Sequence, residues 1–369
     1  MGLGLISFLV TVAYVPGIPS GAVSPRWWVL AIGLAILHTL GWRPWRSGWG
    51  GWCFAALLAY AAASLLWSID PLSTGLAVFQ LAILGTAFMA GAQETDLKPF
   101  WYGIAAGLAI NAVVLVLQLA NVPIAVPRGN FSALTGLFLN RDSLADLGAL
   151  AVIGLCAYRP TRAPENAILD SFFPAAMTAA LMVAIIPASR SAWLALAICG
   201  LVTWLSGYSR RARIQIVLMI FVLAMVFAAA DVYLDDSGRR LLSLQNRLVF
   251  WDWTIANLTP FGWGLGTYPS VFVFEHAHNE VLEYAFELGA PSALLWAVFI
   301  YAIGAPQSGE RLVLLGLFVE ALVGFPLHDP ATAFVGAVCL GRCCAARSAL
   351  RQRQSSSRAA YSGESAQHA

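Results

Sequence analysis

Apolar residues in this chain gather into long runs separated by short polar segments. The runs lie at about 3–15, 27–42, 49–67, 73–91, 100–120, 142–158, 170–187, 191–207, 214–230, 281–303, 312–326 and 331–346. Crossing the hydrocarbon core of a bilayer takes roughly 20 apolar residues in a helix. A helix also satisfies every backbone hydrogen bond within itself, which lipid requires. The pattern therefore predicts an all-α integral membrane protein of about 12 transmembrane helices. It predicts one membrane domain over residues 1–346, with a large periplasmic loop at 231–280. That loop carries Trp251, Trp253, Phe261 and Trp263, so it is expected to fold against the membrane face. The Arg/Ser/Gln-rich stretch 347–369 is expected to be a disordered cytoplasmic tail.

Composition agrees. Hydrophobic residues make up 59% of the 369 and charged residues only 11%, with a mean hydropathy of +0.74. A water-soluble domain of this size runs about 25% charged and could not bury so much apolar surface. There is no basic stripe for nucleic acid. No lysine or arginine precedes Arg26, which disfavours a signal peptide and favours a first span.

Charge placement sets the expected orientation. With the spans alternating, fourteen of the 21 lysines and arginines fall on one side, which the positive-inside rule makes cytoplasmic. Both termini are then cytoplasmic. The outward set is Arg26, Arg128, Arg141, Arg190, Arg239, Arg240 and Arg247. The six cysteines lie in or beside apolar runs without a CxxC pair, and read as small apolar fillers.

Arginine on the translocated side works against insertion. It either snorkels to headgroups or binds an anion such as phosphate through its planar fork. Arg190 stands between two apolar runs, and Arg247 opens an amphipathic stretch. The other candidate chemistry is Glu275-His276-Ala277-His278-Asn279-Glu280. Asn279 is suited to cap a helix. His278 then stands at the helix mouth, as a capping residue or as a general base. The His-x-His spacing could also hold a metal with nearby carboxylates, but a base fits better. Glu280, Glu283 and Glu287 share one helical face, which must look into a polar cavity or meet a cation. Glu320, Asp142, Asp146 and Pro326-Leu327-His328-Asp329 are further polar groups in or near apolar runs. Asp235-Asp236 reads as a solvated loop pair, and Gly262-Trp263-Gly264-Leu265-Gly266 as a tight turn and not a nucleotide loop.

Taken together, these segments resemble the O-antigen ligase/polymerase family of bacterial membrane glycosyltransferases. Leu65-Leu66-Trp67-Ser68-Ile69-Asp70-Pro71 resembles its early-loop pattern. Gly136 through Asn140-Arg141-Asp142 resembles its Asn-Arg-Asn segment, with Asp142 in place of the last Asn. Ser189-Arg190-Ser191 resembles its arginine-bearing turn, and Asn246–Trp251 with Pro260–Gly266 the body of its large loop. His278-Asn279, nine residues and Gly289 is similar to the ligase signature, with Ser292 departing at the last position.

The resemblance implies a glycan donor on undecaprenyl pyrophosphate. The acceptor would be a hydroxyl of lipid A–core or of a growing glycan, at the periplasmic face of the inner membrane. It implies His278 as base or acceptor-orienting residue, with Arg190 and Arg247 on the pyrophosphate. Arg141, Asn140, Asn279 and Glu287 are the expected substrate-binding residues. The implied transfer inverts the anomeric centre and uses no metal and no cofactor; membrane lipids, but no nucleic acid, are partners. A ligase is expected first and a polymerase second. A protein-directed glycan ligase, a secondary transporter coupled through Glu287 and Glu320, and an envelope scaffold are the remaining readings.

Overall fold

The computed structural model describes residues 2–16, 22–40, 48–122, 124, 134–138, 140–157, 171–207, 239–272, 276–304 and 309–367. Side chains are described for these except 157, 205–207, 239–245 and 351–367. Among the described residues the secondary structure is helical, with no strand. The helices are α1 Gly2–Val12, α2 Ser24–Thr39, α3 Gly48–Ala63, α4 Pro71–Gln93, α5 Lys98–Leu119, α6 Arg141–Ala157, α7 Phe173–Ile185 and α8 Arg190–Gly207. After them come α9 Arg239–Ala256, α10 Tyr268–Val271, α11 Glu280–Leu288, α12 Ser292–Ile303, α13 Glu310–Val323 and α14 Pro330–Gln367.

Among the described residues four segments are long and apolar enough to cross a membrane: Gly48–Leu66, Pro71–Gln93, Lys98–Leu119 and Pro330–Leu350. The described residues do not confirm the expected count of twelve spans. Several apolar runs become shorter helices, among them Gly2–Val12, Phe173–Ile185 and Ser292–Ile303. A helix of 12 residues such as α12 rises about 18 Å, well short of the roughly 30 Å hydrocarbon core. The run at 214–230 and the pair Asp235-Asp236 lie outside the described residues.

Two differences concern continuity. The span expected at 281–303 is broken into α11 and α12 by Gly289-Ala290-Pro291, where Gly289 takes φ 63°. The stretch expected as a tail continues α14 as helix through Gln367. Its Ala, Arg and Gln residues are good helix formers, and the buried turns before them have already met the cost of nucleation.

The core lies where α5, α6, α13 and α14 meet. Phe100 stands edge-on to Phe334, with ring centroids 5.6 Å apart, and Trp101, Leu147, Leu150, Leu314 and Leu317 are fully buried around them. Helices approach closely where glycine permits. A Cβ on Gly91 of α4 would run into the carbonyl of Val338, and one on Gly341 of α14 into that of Phe88. Small residues at such crossings are the usual device where lipid supplies no hydrophobic drive between helices.

Polar side chains tie the loops to one end of this bundle. Asn111 of α5 bonds the Thr11 and Gly107 carbonyls and accepts from Leu137 N–H. Gln118 accepts from the N–H groups of Thr135 and Gly136. Arg26, expected on the outer side, is fully buried here and does not reach a surface. It donates to the Val10 and Leu137 carbonyls, covers the Phe138 ring at 3.6 Å and lies 3.9 Å from Asp329. The same end therefore holds the exit of α1 and the entries of α2, α6 and α14.

Candidate functional site

The His278-Asn279-x9-Gly289 spacing corresponds to one short helix with both caps. Asn279 Oδ1 accepts from Leu282 N–H at 3.1 Å, the expected N-cap. The nine residues Glu280–Leu288 form α11. Gly289 ends it in the left-handed region, its N–H donating to Ala285 O at 3.0 Å. Ser292 then opens α12.

The glycine-rich turn before it clasps this helix end. Trp263 and Gly264 donate backbone N–H to the Phe286 and Glu287 carbonyls, and Ala290 N–H donates to Pro260 O at 2.9 Å. Gly262, Gly264 and Gly266 all have positive φ, as a tight turn requires. The early loop joins the same body. Ile69 N–H donates to Trp263 O, and Ser270 Oγ donates to Asp70 Oδ2 at 2.8 Å. Asp70 also accepts from Ser73 N–H, capping α4; this bond first, then the Ser73 and Ser270 hydroxyls, holds its carboxyl below the usual range. The turn Ser68–Pro71 thus anchors the loop segment to the bundle.

His278 lies just before the cap, at φ 53°. A non-glycine residue there is uncommon and is held by its surroundings. Its ring meets Phe325 edge-on at 5.2 Å. Burial first, then the positive charge of Arg247, push its pKa down to about 4, against the opposing pull of Asp142 and Glu283. The imidazole is therefore neutral at physiological pH.

Arg247 reaches this place from amphipathic α9. Its Nη1 donates to Val323 O, the last residue of α13, at 2.9 Å. Burial lowers its pKa, Arg190 lowers it further and Asp142 opposes both. Trp251, one turn along α9, donates Nε1–H to Ala277 O at 2.9 Å and so joins α9 to the histidine loop. Arg190, exposed, is the first residue of α8. Beside it Ser189 and Ser191 are hydrogen-bonded, and Ser191 donates to buried Asp146 at 2.6 Å. Asn140 accepts from Asp142 N–H at 2.9 Å, capping α6, while Arg141 pairs with Asp142 at 3.8 Å and is half exposed.

Arg247 and Asp142 thus act electrostatically on His278, and Arg190 on Arg247, with Asn140, Arg141 and Asn279 beside them in sequence. Glu287 stands apart. It is buried on the inner face of α11, where Oε1 accepts from Tyr268 N–H at 3.0 Å. That bond gives it a part in holding the loop.

The histidine of the other segment, His328, is where sequence reasoning stopped short. It belongs to the turn Pro326–His328 and faces α11. Its Nδ1 lies 3.2 Å from Glu280 Oε1, and its Nε2 lies 3.2 Å from Glu283 Oε1. His276 Nδ1 is 3.0 Å from the same Glu283 oxygen. A polar turn within apolar sequence was the signal; its partner Glu280, 48 positions earlier, was not legible. His276, Glu283 and His328 are also the one group among the described residues spaced to hold a metal ion.

Comparison with known proteins bears on this segment. No curated protein matches the chain. The family model described as O-antigen ligase matches residues 175–297, a stretch that includes Arg190, Arg247, His278 and the whole of the capped helix α11. Over that stretch, about a third of the chain, the sequence is similar to the O-antigen ligase family.

Proposed function

We propose that this chain is an O-antigen ligase-like glycosyltransferase of the bacterial inner membrane. It moves a glycan from undecaprenyl pyrophosphate to an acceptor hydroxyl of lipid A–core at the periplasmic face. The observation that carries the proposal is the grouping of a neutral His278 with Arg247 and Arg190 inside the segment that matches the family.

In the transfer, the acceptor oxygen attacks the anomeric carbon from the face opposite the leaving group. The new C–O bond forms as the bond to pyrophosphate breaks, and the configuration inverts. The acceptor proton passes to His278, and the lipid pyrophosphate leaves with the bonding pair. Arg247 and Arg190 offset the charge that grows on the pyrophosphate oxygens. A bound pyrophosphate would also cancel part of the Arg247 field that disfavours the imidazolium of His278. The base therefore strengthens when donor is in place and is weak when it is absent. Asn279 and Asn140, both caps, hold the backbone at His278 and Arg141.

A polymerase of the same family would use the same donor and the same residues on a growing glycan. A deletion strain separates the two. Loss of the polymer ladder from lipopolysaccharide, with long polymer retained on the lipid carrier, is the expected result. Core capped with a single repeat, or loss of a free exopolysaccharide, would assign the polymerase. No change in either pool would overturn glycosyl transfer altogether.

A further inference from the structure

Glu280, Glu283 and Glu287 are buried side by side on α11, with relative exposures of 0%, 1% and 1%. Among the described residues none of them pairs with a lysine or arginine. The basic side chains next to them are the imidazoles of His276 and His328. A neutral imidazole has one N–H and one lone pair. His328 faces a carboxylate oxygen at 3.2 Å from each nitrogen. If its Nδ1–H donates to Glu280, its Nε2 lone pair confronts Glu283 Oε1. Glu283 is itself fixed, because its other oxygen accepts from Ala277 N–H at 2.8 Å. Glu280 Oε2 is buried without a hydrogen-bond partner. The cluster is short of positive charge at one point, between His276 Nδ1, His328 Nε2 and Glu283 Oε1.

We propose that His276, Glu283 and His328 bind a zinc-class divalent cation that fastens the histidine loop and α11 to the turn Pro326–His328. The three ligand atoms lie within 4.8 Å of one another. Two edges of this triangle, 3.0 and 3.2 Å, are close to the roughly 3.3 Å between neighbouring ligands of a tetrahedral zinc. Two imidazoles and one carboxylate are a normal zinc set. The surroundings also fit. A metal-bound imidazole commonly donates its other N–H to a carboxylate, and His328 Nδ1 has Glu280 Oε1 for that purpose. The rings are oriented by packing: His276 stacks on Phe325 at 4.5 Å and Tyr284 on His328 at 6.0 Å. The cation is structural in this proposal. No step of the glycosyl transfer passes through it, and the site stands whether or not that transfer is the activity.

The test is metal content. The full chain is purified in detergent without a histidine tag, stripped with a chelator, then dialysed against zinc at neutral pH. Elemental analysis is expected to find a single equivalent in the wild type, and thermal unfolding to move to higher temperature on zinc addition. His328→Ala and Glu283→Gln should each lose that equivalent and the thermal shift, while His278→Ala keeps both. Should the variants fail to fold, cobalt on the wild type alone decides, since a tetrahedral site gives intense visible absorption. Zinc held equally by all variants, no zinc on the wild type, or an octahedral cobalt spectrum would overturn the site. A proton shared by His328 and the carboxylates would then supply the missing charge.

Discussion

His276 and His278 are two positions apart and differ in what surrounds them. The first points at the buried carboxylate of Glu283; the second lies near Arg247 and is held neutral by burial and that charge. The depressed pKa has a readable consequence. With its pKa near 4 in place of the usual value, His278 is the free base throughout the range above it. In kcat/KM, which reports the free enzyme, transfer activity should hold as pH falls from 7 through 6, and decline only as pH approaches the lowered value. A midpoint near the unperturbed histidine value of about 6.5 would mean that another group limits the rate. His278→Ala should cost about 10²–10⁴-fold in rate, the usual contribution of a general base. Arg247→Lys should be poorly tolerated although charge is kept, because lysine lacks the second donor of the fork. Rates on lipid-linked donor check both. Both residues were candidates on the sequence alone. The burial that tunes His278 was not legible there, because Phe325 and Arg247 come from segments far away along the chain.

The element that matters most is α11. Its limits could be read from the sequence at the front, where Asn279 caps it, but not at the back. An apolar run continuing to Ile303 reads as one span, and the break becomes visible only when Gly289 is seen against Pro260. Gly289 has φ 63° and ψ −147°, a conformation closed to residues with a Cβ. A Cβ there would also meet the Pro260 carbonyl and lie 2.6 Å from Gly262 N. Gly289→Ala should therefore cost about 1–3 kcal/mol, read as a lower unfolding temperature in detergent, and should lower transfer by loosening His278. Unchanged stability would show that the clasp between the 260–266 turn and α11 is not needed. Asn279→Ala should cost less, about 1 kcal/mol for a lost cap.

Across the whole molecule, helix contacts set where the site stands. The crossing of α4 and α14 depends on Gly91 and Gly341, each against a backbone carbonyl of the other helix. Gly341→Val should force these helices apart at a cost of about 1–3 kcal/mol or more, and would show as reduced accumulation of folded protein in the membrane. The opposite end of α14 begins at Asp329-Pro330, beside Arg26 and the His328 turn, so the bundle carries this crossing to the site. The sequence by itself determined the class of this protein, because so much apolar surface in runs admits only helices in lipid. It also singled out the candidate chemistry, arginine and histidine at the ends of apolar runs on the expected outer side. The tertiary structure decided which apolar helices are long enough to span and where a run breaks. It also decided which of the five histidines meet carboxylates. The physical reason is one of range. Hydrophobicity and helix capping act within a few residues, whereas burial, ion pairing and close helix contact depend on residues brought together from distant parts of the chain.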